Sequence, residues 1–241
     1  MIRSRLGLKA LGLCAMLVGM LAFAGVAQAE VGAFWLVNKA KIVSGQGVEA
    51  ETDVAGTLLT ELGGKQIHLK CPTIKLVGAK LIDPLGQITG KIDFSGCKFF
   101  SLKTVGGELV EQKACEPSAE GTKGLIVTNA ITGLIKLHEP KAGTKEAVLE
   151  AKPTTAGGQF ANIVLGAECA FGENLKVGGV FFLKDCLGQF QTEVVKHLVQ
   201  ELPALTKLVI NEGAKTATID GSAWAFLGTT NVGKTWSGVP A

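Results

Sequence analysis

Alternating apolar and polar positions are the strongest pattern in this chain. In Gln66–Cys71 every second side chain is apolar, and in Gln87–Phe94 the alternation places Ile88, Ile92 and Phe94 on one face. A period of two is typical of a strand with one buried face. Similar segments recur along the chain, separated by glycine-rich turn signals such as Asp83-Pro84-Leu85-Gly86. The sequence therefore predicts an all-β fold, an antiparallel sandwich or barrel with many short strands.

Two segments test this pattern. Leu125–His138 is predicted to form two strands, because β-branched residues are frequent in it and Gly133 would weaken a helix. Gln189–Glu201 has apolar residues near helical spacing, and Pro203 would end a helix there. A short helix near 191–202 is the prediction for this segment, with a strand as the alternative.

The domain organisation follows from the same pattern. Gly45 and Gly47 are predicted to interrupt the first apolar run, and separate closing strands are predicted over 216–220 and 222–227. The order strand, cysteine, strand, turn, strand, cysteine occurs in 66–97 and again, shortened, in 160–186. One β-rich domain is predicted over 30–241, with these two segments as a loose internal echo.

The N-terminus has the three parts of an export signal. Arg3, Arg5 and Lys9 precede the uncharged apolar run 10–24, and Ala27-Gln28-Ala29 is a cleavage site of the A-x-A type. The run is shorter than the ~20 apolar residues of a spanning helix. We predict that 1–29 is removed, that no transmembrane anchor remains, and that the protein is periplasmic or extracellular.

Removal of the signal changes the charge balance. The 24 basic and 21 acidic residues of the whole chain become equal in number when Arg3, Arg5 and Lys9 are lost. An evenly charged protein offers no electrostatic attraction to nucleic acid or to an anionic membrane. Neither is predicted as a partner.

The mature chain keeps five cysteines, and export permits disulfides between them. Cys97–Cys115 is the preferred bond because it closes a short hairpin-like loop, and Cys169–Cys186 would close another. Alternatively, Cys71 bonds to Cys97 or to Cys169, and the spacing does not choose among these arrangements. An odd number predicts one thiol that is buried or that links two chains.

No cysteine, histidine or carboxylate spacing predicts a metal, a cofactor or a catalytic group. There is no C-x-x-C, and His68, His138 and His197 lie far apart. His197 and Glu201 are spaced like an exposed pair on a helix. Ser222 does not lie in a G-x-S-x-G motif. Dispersed carboxylates such as Asp83, Asp93, Asp185 and Asp220 leave a glycosidase-like pair open.

One motif matches a nucleotide-binding pattern letter for letter. Gly228, Gly233, Lys234 and Thr235 satisfy G-x-x-x-x-G-K-[ST]. A phosphate loop needs a helix after the threonine, and only 236–241 follow. We therefore interpret the match as a glycine-rich terminal turn.

Aromatic residues offer the main hint of a binding surface. The doublets Phe99-Phe100 and Phe181-Phe182 each place one ring on either face of a strand. One ring of each pair must then meet another layer, a partner (a second copy of the chain or an envelope or surface protein) or solvent. Trp35, Trp224 and Trp236 are candidates for a sugar or lipid pocket, or for the core.

The chain resembles a group of exported bacterial proteins of unknown function. The motifs that carry the resemblance are FWLVN, GTLLTE, IHLKC, DFSGC, ACEPSAEGTKGLIVTNAITG, ATIDGSAWAFL and KTWSG, between residues 33 and 238. The resemblance implies export, a β-rich body and cysteines at strand ends. It supplies no active site.

Three functional hypotheses follow. The first is a non-enzymatic, disulfide-stabilised protein with a structural or adhesive role in the envelope or outside the cell. The second is a β domain that binds a small apolar ligand or a carbohydrate. The third is a hydrolase with dispersed carboxylates. A pocket lined by tryptophan and phenylalanine would favour the second.

Overall fold

The structure is a computed structural model that describes residues 33–83, 85–103 and 107–240, all within one compact unit, Gly32–Ala241. The predicted signal peptide and its cleavage before Glu30 lie outside the described residues. Helical structure in the described ranges consists of two 3-10 turns, Lys113–Cys115 and Thr229–Asn231, so the all-β prediction is confirmed. The strands are β1 (Phe34–Val37), β2 (Ala40–Lys41), β3 (Gln46–Leu62), β4 (Lys65–Cys71), β5 (Thr73–Ile82), β6 (Gln87–Ser95), β7 (Lys98–Leu102), β8 (Leu109–Glu111), β9 (Ser118–Ala119), β10 (Thr122–Lys123), β11 (Ile126–Val127), β12 (Ile131–Lys141), β13 (Thr144–Pro153), β14 (Gln159–Val164), β15 (Asn174–Asp185), β16 (Lys196–Glu201), β17 (Lys207–Ile210), β18 (Lys215–Leu227) and β19 (Trp236–Val239).

Antiparallel pairing closes part of the sheet into a barrel. β3 pairs with β5, β5 with β6, and β6 with β12. The circuit continues through β13, β15 and β16 to β18, which pairs with β3 again. Because side chains alternate along each strand, every strand of the circuit contributes one face to a shared interior.

The longest strands continue beyond this barrel into a further part of the same 16-stranded sheet. β3 has 17 residues, β15 has 12 and β18 has 13. Past the barrel, β17 lies between β15 and β18, while β4, β7 and β8 extend from β3. β14 pairs with the outer part of β15, and β9 and β10 lie beyond it. The three long strands therefore join two regions of one molecule.

A bulge bends β18 where these regions meet. The sequence predicted two strands here, but Lys215–Leu227 is one strand whose register with β3 shifts on both sides of Ser222. Gly221 has φ +136°, and a Cβ atom there would lie 2.9 Å from the Cα atom of Gly56. Glycine is needed at 221 because neither the backbone angle nor the close approach tolerates a side chain.

A separate sheet of three strands packs against one end of the barrel. β1 pairs with β19 on one side and β2 on the other. The ring centroids of Trp35 and Trp236 lie 5.8 Å apart, and the Trp35 indole N–H donates to the Gln87 carbonyl at 2.7 Å. The predicted first strand thus forms, and its tryptophan is anchored to β6.

The buried side chains form two cores, which give names to the two regions. The barrel end is the region around the core of Trp35, Leu81, Phe190, Leu227 and Trp236. The sheet end is the region around the core of Ile67, Phe99, Phe160, Leu175 and Ile210.

Both disulfides of the described residues lie in the sheet end, and they differ from the preferred pairing. Cys71 bonds to Cys97, and Cys115 bonds to Cys169. The β5–β6 hairpin pairs Thr73 with Ser95, which brings Cys71 and Cys97 together just beyond its end. The Cys97–Cys115 prediction is wrong, because Cys97 bonds across the end of this hairpin and Cys115, which ends the 3-10 turn 113–115, bonds to Cys169.

The Cys169–Cys186 alternative is also wrong, since Cys186 is the unbonded cysteine and it is exposed. The odd thiol is therefore not buried, and the alternative that it links two chains stays a prediction. The echo between 66–97 and 160–186 does not extend to the bonds: the cysteines of the first segment bond to each other, whereas Cys169 reaches outside the second.

The predicted helix near 191–202 is replaced by strand β16. β16 pairs with β15 through 199–201 and with β18 through 196–200, so its backbone groups are satisfied on both sides. Tertiary pairing therefore overrides the helical spacing of its apolar residues. Gly45 lies in the break 42–45 between β2 and β3, as predicted, whereas Gly47 does not interrupt a strand, because it lies inside β3, which begins at Gln46. Leu125–His138 contains β11 and the first part of β12, as predicted.

Candidate functional site

The barrel encloses an apolar cavity of about 220 Å³. Inward side chains of several strands line it, among them Val48 and Leu58 from β3, Ile92 from β6 and Leu183 from β15. Trp35, Phe190 and Trp236 line it at the barrel end, and Phe160 lines it at the sheet end. The cavity therefore extends between the two cores.

Small inward residues explain why side chains do not fill this interior. The lining includes Ala50 on β3, Ala79 on β5, and Ala223 and Ala225 on β18. A barrel of eight strands is just wide enough to be filled by ordinary side chains or to hold one small ligand. Because alanine side chains are small, these four inward positions leave part of the barrel interior unfilled.

Strand β16 contributes the polar groups of the interior. His197, Val199 and Glu201 alternate with outward residues, and both His197 and Glu201 are buried. Four residues of a strand span about 13 Å. The sequence interpreted these two residues as an exposed pair on a helix, and this is wrong: they share the inner face of a strand.

His197 forms a fully buried pair with Asp185. Its Nδ1 atom lies 2.7 Å from Asp185 Oδ2, and its Nε2 atom lies 2.8 Å from the carbonyl oxygen of Trp236. The exposed fraction of the side chain is 0% for His197 and 1% for Asp185. The imidazole stacks on Phe190 and meets the edge of Trp236, with centroid distances of 5.3 and 4.3 Å.

These contacts determine what His197 can do chemically. A carbonyl oxygen only accepts, so Nε2 carries a proton and donates to Trp236. A second proton must lie between Nδ1 and Asp185, because otherwise two lone pairs would face each other. The pair is therefore neutral overall and joins β15, β16 and β19. Nε2 is not free to take a proton from a nucleophile.

Glu201 differs from His197 because one of its oxygens is unpaired. The residue is 5% exposed, it lines the cavity, and its Oε1 atom has no hydrogen-bond partner among the described residues. Burial raises the pKa of the Glu201 carboxyl, and the nearby charge of Asp220 raises it further. Hydrogen bonds from the Thr206 side chain and the Ile219 backbone oppose this increase in pKa. Glu201 thus offers a hydrogen-bond acceptor inside an apolar wall.

The residues that the sequence singled out as chemical candidates are spread over the molecule. His68 lies on β4, His138 on β12 and His197 on β16. The Ser222 hydroxyl donates to Asp53 Oδ2 at 2.7 Å. Of the candidate carboxylates, Asp185 belongs to the histidine pair and Asp220 lines the cavity. No group of three or more His, Cys, Asp or Glu side chains in the described ranges is arranged to hold a metal ion.

The aromatic candidates divide between cavity, core and surface. Trp35 and Trp236 line the cavity, as does Phe181. Phe99 is buried in the sheet end, whereas Phe100 lies on the other face of β7 with the Lys70 amine 5.5 Å from its ring. The sequence indicated aromatic pocket residues but missed Glu201 as a polar residue of the same interior.

The glycine-rich motif forms a turn between β18 and β19. Gly228 precedes the single 3-10 turn 229–231, and the strand Trp236–Val239 follows Thr235. The Lys234 amine donates to Asn231 Oδ1 at 2.7 Å, and the Thr235 N–H donates to Asn38 Oδ1 at 3.2 Å. The helix that a phosphate loop requires is replaced by a strand.

Comparison with known proteins supplies no relative: no family model, curated protein or solved structure matches this chain. In the part of the chain that the structure describes, no helix has the length and hydropathy to cross a membrane. Function must therefore be argued from the geometry of the cavity.

Proposed function

We propose that this protein binds a small apolar molecule inside its barrel. The observation that carries the proposal is the cavity of about 220 Å³ with apolar walls. Protein interiors are normally close-packed. At about 24 cal/mol per Å³, such a volume costs roughly 5 kcal/mol, which is comparable with the net stability of a domain, about 5–15 kcal/mol. An apolar guest would offset that cost.

The wall chemistry favours an apolar ligand over a carbohydrate. A sugar brings many hydroxyl groups that each need a partner when water is removed. The cavity wall is almost entirely apolar, and among its few polar lining side chains Glu201 has an oxygen, Oε1, without a partner among the described residues. A mainly hydrocarbon molecule matches this wall.

The other two hypotheses gain no specific support. A structural or adhesive role stays a prediction. A hydrolase would need its catalytic groups in one place, and Ser222 pairs with Asp53 while His197 pairs with Asp185.

We further propose that the protein works outside the cytoplasm, since disulfides persist in oxidising compartments. The intact mass of exported protein tests this proposal. We expect a mature chain that begins at Glu30, and a mass that includes residues 1–29 would contradict cleavage at this site.

Binding itself can be tested with N-phenyl-1-naphthylamine, a neutral apolar dye whose fluorescence rises in apolar surroundings. We expect saturable binding to the wild-type protein. Val199→Phe extends a ring into the cavity from the inner face of β16 and should weaken dye binding at least about tenfold, or ~1.4 kcal/mol.

Val195→Phe is the matched control, because Val195 precedes the same strand, is 39% exposed and does not line the cavity. It should bind the dye like the wild type. Equal affinity for all three proteins would place the dye outside the barrel, and failure of every apolar probe to bind would contradict the proposed function.

A further inference from the structure

We propose that the bound molecule carries a protonated amine, which donates a hydrogen bond to the Oε1 atom of Glu201, while its hydrocarbon part lies along the cavity. This inference rests on the proposed function and specifies the ligand class. The strand pairing of β16 does not depend on the Glu201 side chain, and the hydrogen bonds from Thr206 and Ile219 leave its Oε1 atom without a partner among the described residues.

The geometry at Glu201 calls for a donor. The side chain is 95% buried, being 5% exposed, and it lines the cavity with one oxygen unpaired among the described residues. A buried acceptor without a partner is unfavourable, and a ligand that supplies the missing hydrogen bond removes the penalty. A pure hydrocarbon would leave the penalty in place.

The surrounding charge selects a cationic donor over a neutral one. Asp220 lies near enough to act electrostatically on Glu201, and no described basic residue forms an ion pair with Glu201. The buried histidine brings no net positive charge, because it shares its proton with Asp185. An ammonium group therefore meets uncompensated negative charge, and charge-assisted hydrogen bonds are about twice as strong as neutral ones. A carboxylate ligand would be repelled.

The cavity lining extends from Trp236 at the barrel end to Phe160 at the sheet end, and this extent favours an elongated ligand. Glu201 lies about 13 Å along β16 from His197, whose ring contacts Trp236. The interior between them is lined by apolar side chains such as Val199, Leu183 and Ala223. A linear alkyl chain with a single head group at Glu201 fits this arrangement.

The contribution of the head group can be isolated with three probes that have linear eight-carbon skeletons and differ in the head group: octylamine, 1-octanol and octanoate. Isothermal titration calorimetry at neutral pH measures each affinity. We expect octylamine to bind about tenfold more tightly than 1-octanol, a difference of ~1.4 kcal/mol. Octanoate should bind most weakly of the three.

The variant Glu201→Gln keeps the size of the side chain and removes its charge. We expect octylamine to lose its advantage in this variant while the affinity for 1-octanol changes by less than about twofold. Glu61→Gln is the matched control: it removes the same charge from an exposed carboxylate of β3 that pairs with Lys215 outside the cavity. It should retain the wild-type order of affinities.

The outcomes separate the two proposals. If all three probes bind equally, or 1-octanol binds best, the amine inference is wrong while binding of an apolar molecule stands. The same loss of octylamine binding in Glu61→Gln would show a general charge effect and contradict a role for Glu201. If neither these probes nor the naphthylamine dye binds, the proposed function fails as well.

Discussion

The two ends of the molecule are stabilised by different chemistry. The sheet end contains both disulfides, and their four cysteines belong to its buried core. The barrel end has no disulfide among its described residues and packs around the His197–Asp185 pair and three aromatic rings, those of Trp35, Phe190 and Trp236. A covalent bond constrains the chain whatever fills the interior. A buried polar pair and a ring cluster depend on protonation and on packing.

The difference matters because the cavity extends from one end to the other. Cys71 and Phe160 line it at the sheet end, and Trp35 and Trp236 at the barrel end. Packing around the cavity is therefore anchored covalently on one side and non-covalently on the other. We expect the barrel end to respond more strongly to a ligand, and the sheet end to a reductant.

The largest expected effect comes from breaking the pair at the barrel end. His197→Ala leaves Asp185 buried without its partner and should lower the free energy of unfolding by about 3–5 kcal/mol. Urea denaturation measures the change. Loss of the hydrogen bond to Trp236 should also loosen β19, and increased hydrogen exchange in 236–239 would report this.

Two further variants distinguish the loss of the buried His197–Asp185 pair from the general effect of a substitution on stability. Asp185→Asn should cost less than His197→Ala, because the amide of asparagine can donate to Nδ1 of a neutral imidazole. His138→Ala alters a half-buried histidine on β12 and should change stability by no more than about 0.5 kcal/mol. A cost below about 1 kcal/mol for His197→Ala would show that the pair does not hold the barrel end.

Removal of the disulfides is the next largest effect and acts on the sheet end. The bonds span 26 and 54 residues. Chain entropy predicts losses of about 3.5 kcal/mol for Cys71→Ala/Cys97→Ala and about 4 kcal/mol for Cys115→Ala/Cys169→Ala. Denaturant titration of each double variant measures them. Hydrogen exchange should increase first in β4, β7 and β14.

Cys186→Ala serves as the control, because this cysteine is exposed and unbonded, and its replacement should cost no more than about 0.5 kcal/mol. Peptide mapping without reductant checks the pairing directly. A Cys97–Cys115 peptide, or five alkylated cysteines, would overturn the arrangement on which this comparison rests.

The sequence predicted the strands more accurately than it predicted the contacts between residues that are distant in the chain. The alternating segments Gln66–Cys71 and Gln87–Phe94 form β4 and β6 to within one residue at each end, since period-two alternation needs only local information. The helix prediction for 191–202 failed because β16 gains partners on both sides that no local pattern reveals.

The candidate site was harder to predict from the sequence, because it also depends on contacts between residues that are far apart in the chain. Cys115 and Cys169 are 54 residues apart, and only the β14–β9 pairing explains how they meet. Glu201 was assigned to an exposed face because a helix was assumed. Had a strand been chosen for this segment, alternation from His197 to Glu201 would have placed both residues on one face.

A smaller effect is expected from the titration of Glu201, the buried carboxyl that lines the cavity. The pKa of Glu201 is raised from its ordinary value of 4.5, mainly by burial. Between the unfolded and the folded pKa, the folded state holds a proton that the unfolded chain has lost. The stabilising contribution is therefore complete below pH 4.5, and it disappears as the pH rises through the folded pKa.

We thus expect Glu201→Gln to be more stable than the wild type at neutral pH, with the advantage vanishing in acid. Urea denaturation across this pH range provides the measurement, and Glu61→Gln is the control for a carboxylate outside the cavity. A pH-independent difference between Glu201→Gln and the wild type would contradict the burial of a titrating group here.

The smallest expected effect concerns the glycine-rich turn at the barrel end. A nucleotide present at 100 times its dissociation constant would add about 2.7 kcal/mol to the free energy of unfolding. We expect Mg·ATP to add nothing to the wild type, because Lys234 donates to Asn231 within the turn and strand β19 occupies the place of the required helix. Lys234→Ala removes one exposed hydrogen bond and should change stability by no more than about 0.5 kcal/mol. Thermal unfolding with and without Mg·ATP measures both. A clear shift in the wild type that Lys234→Ala abolishes would make the barrel end a nucleotide site and would require a different account of its stability.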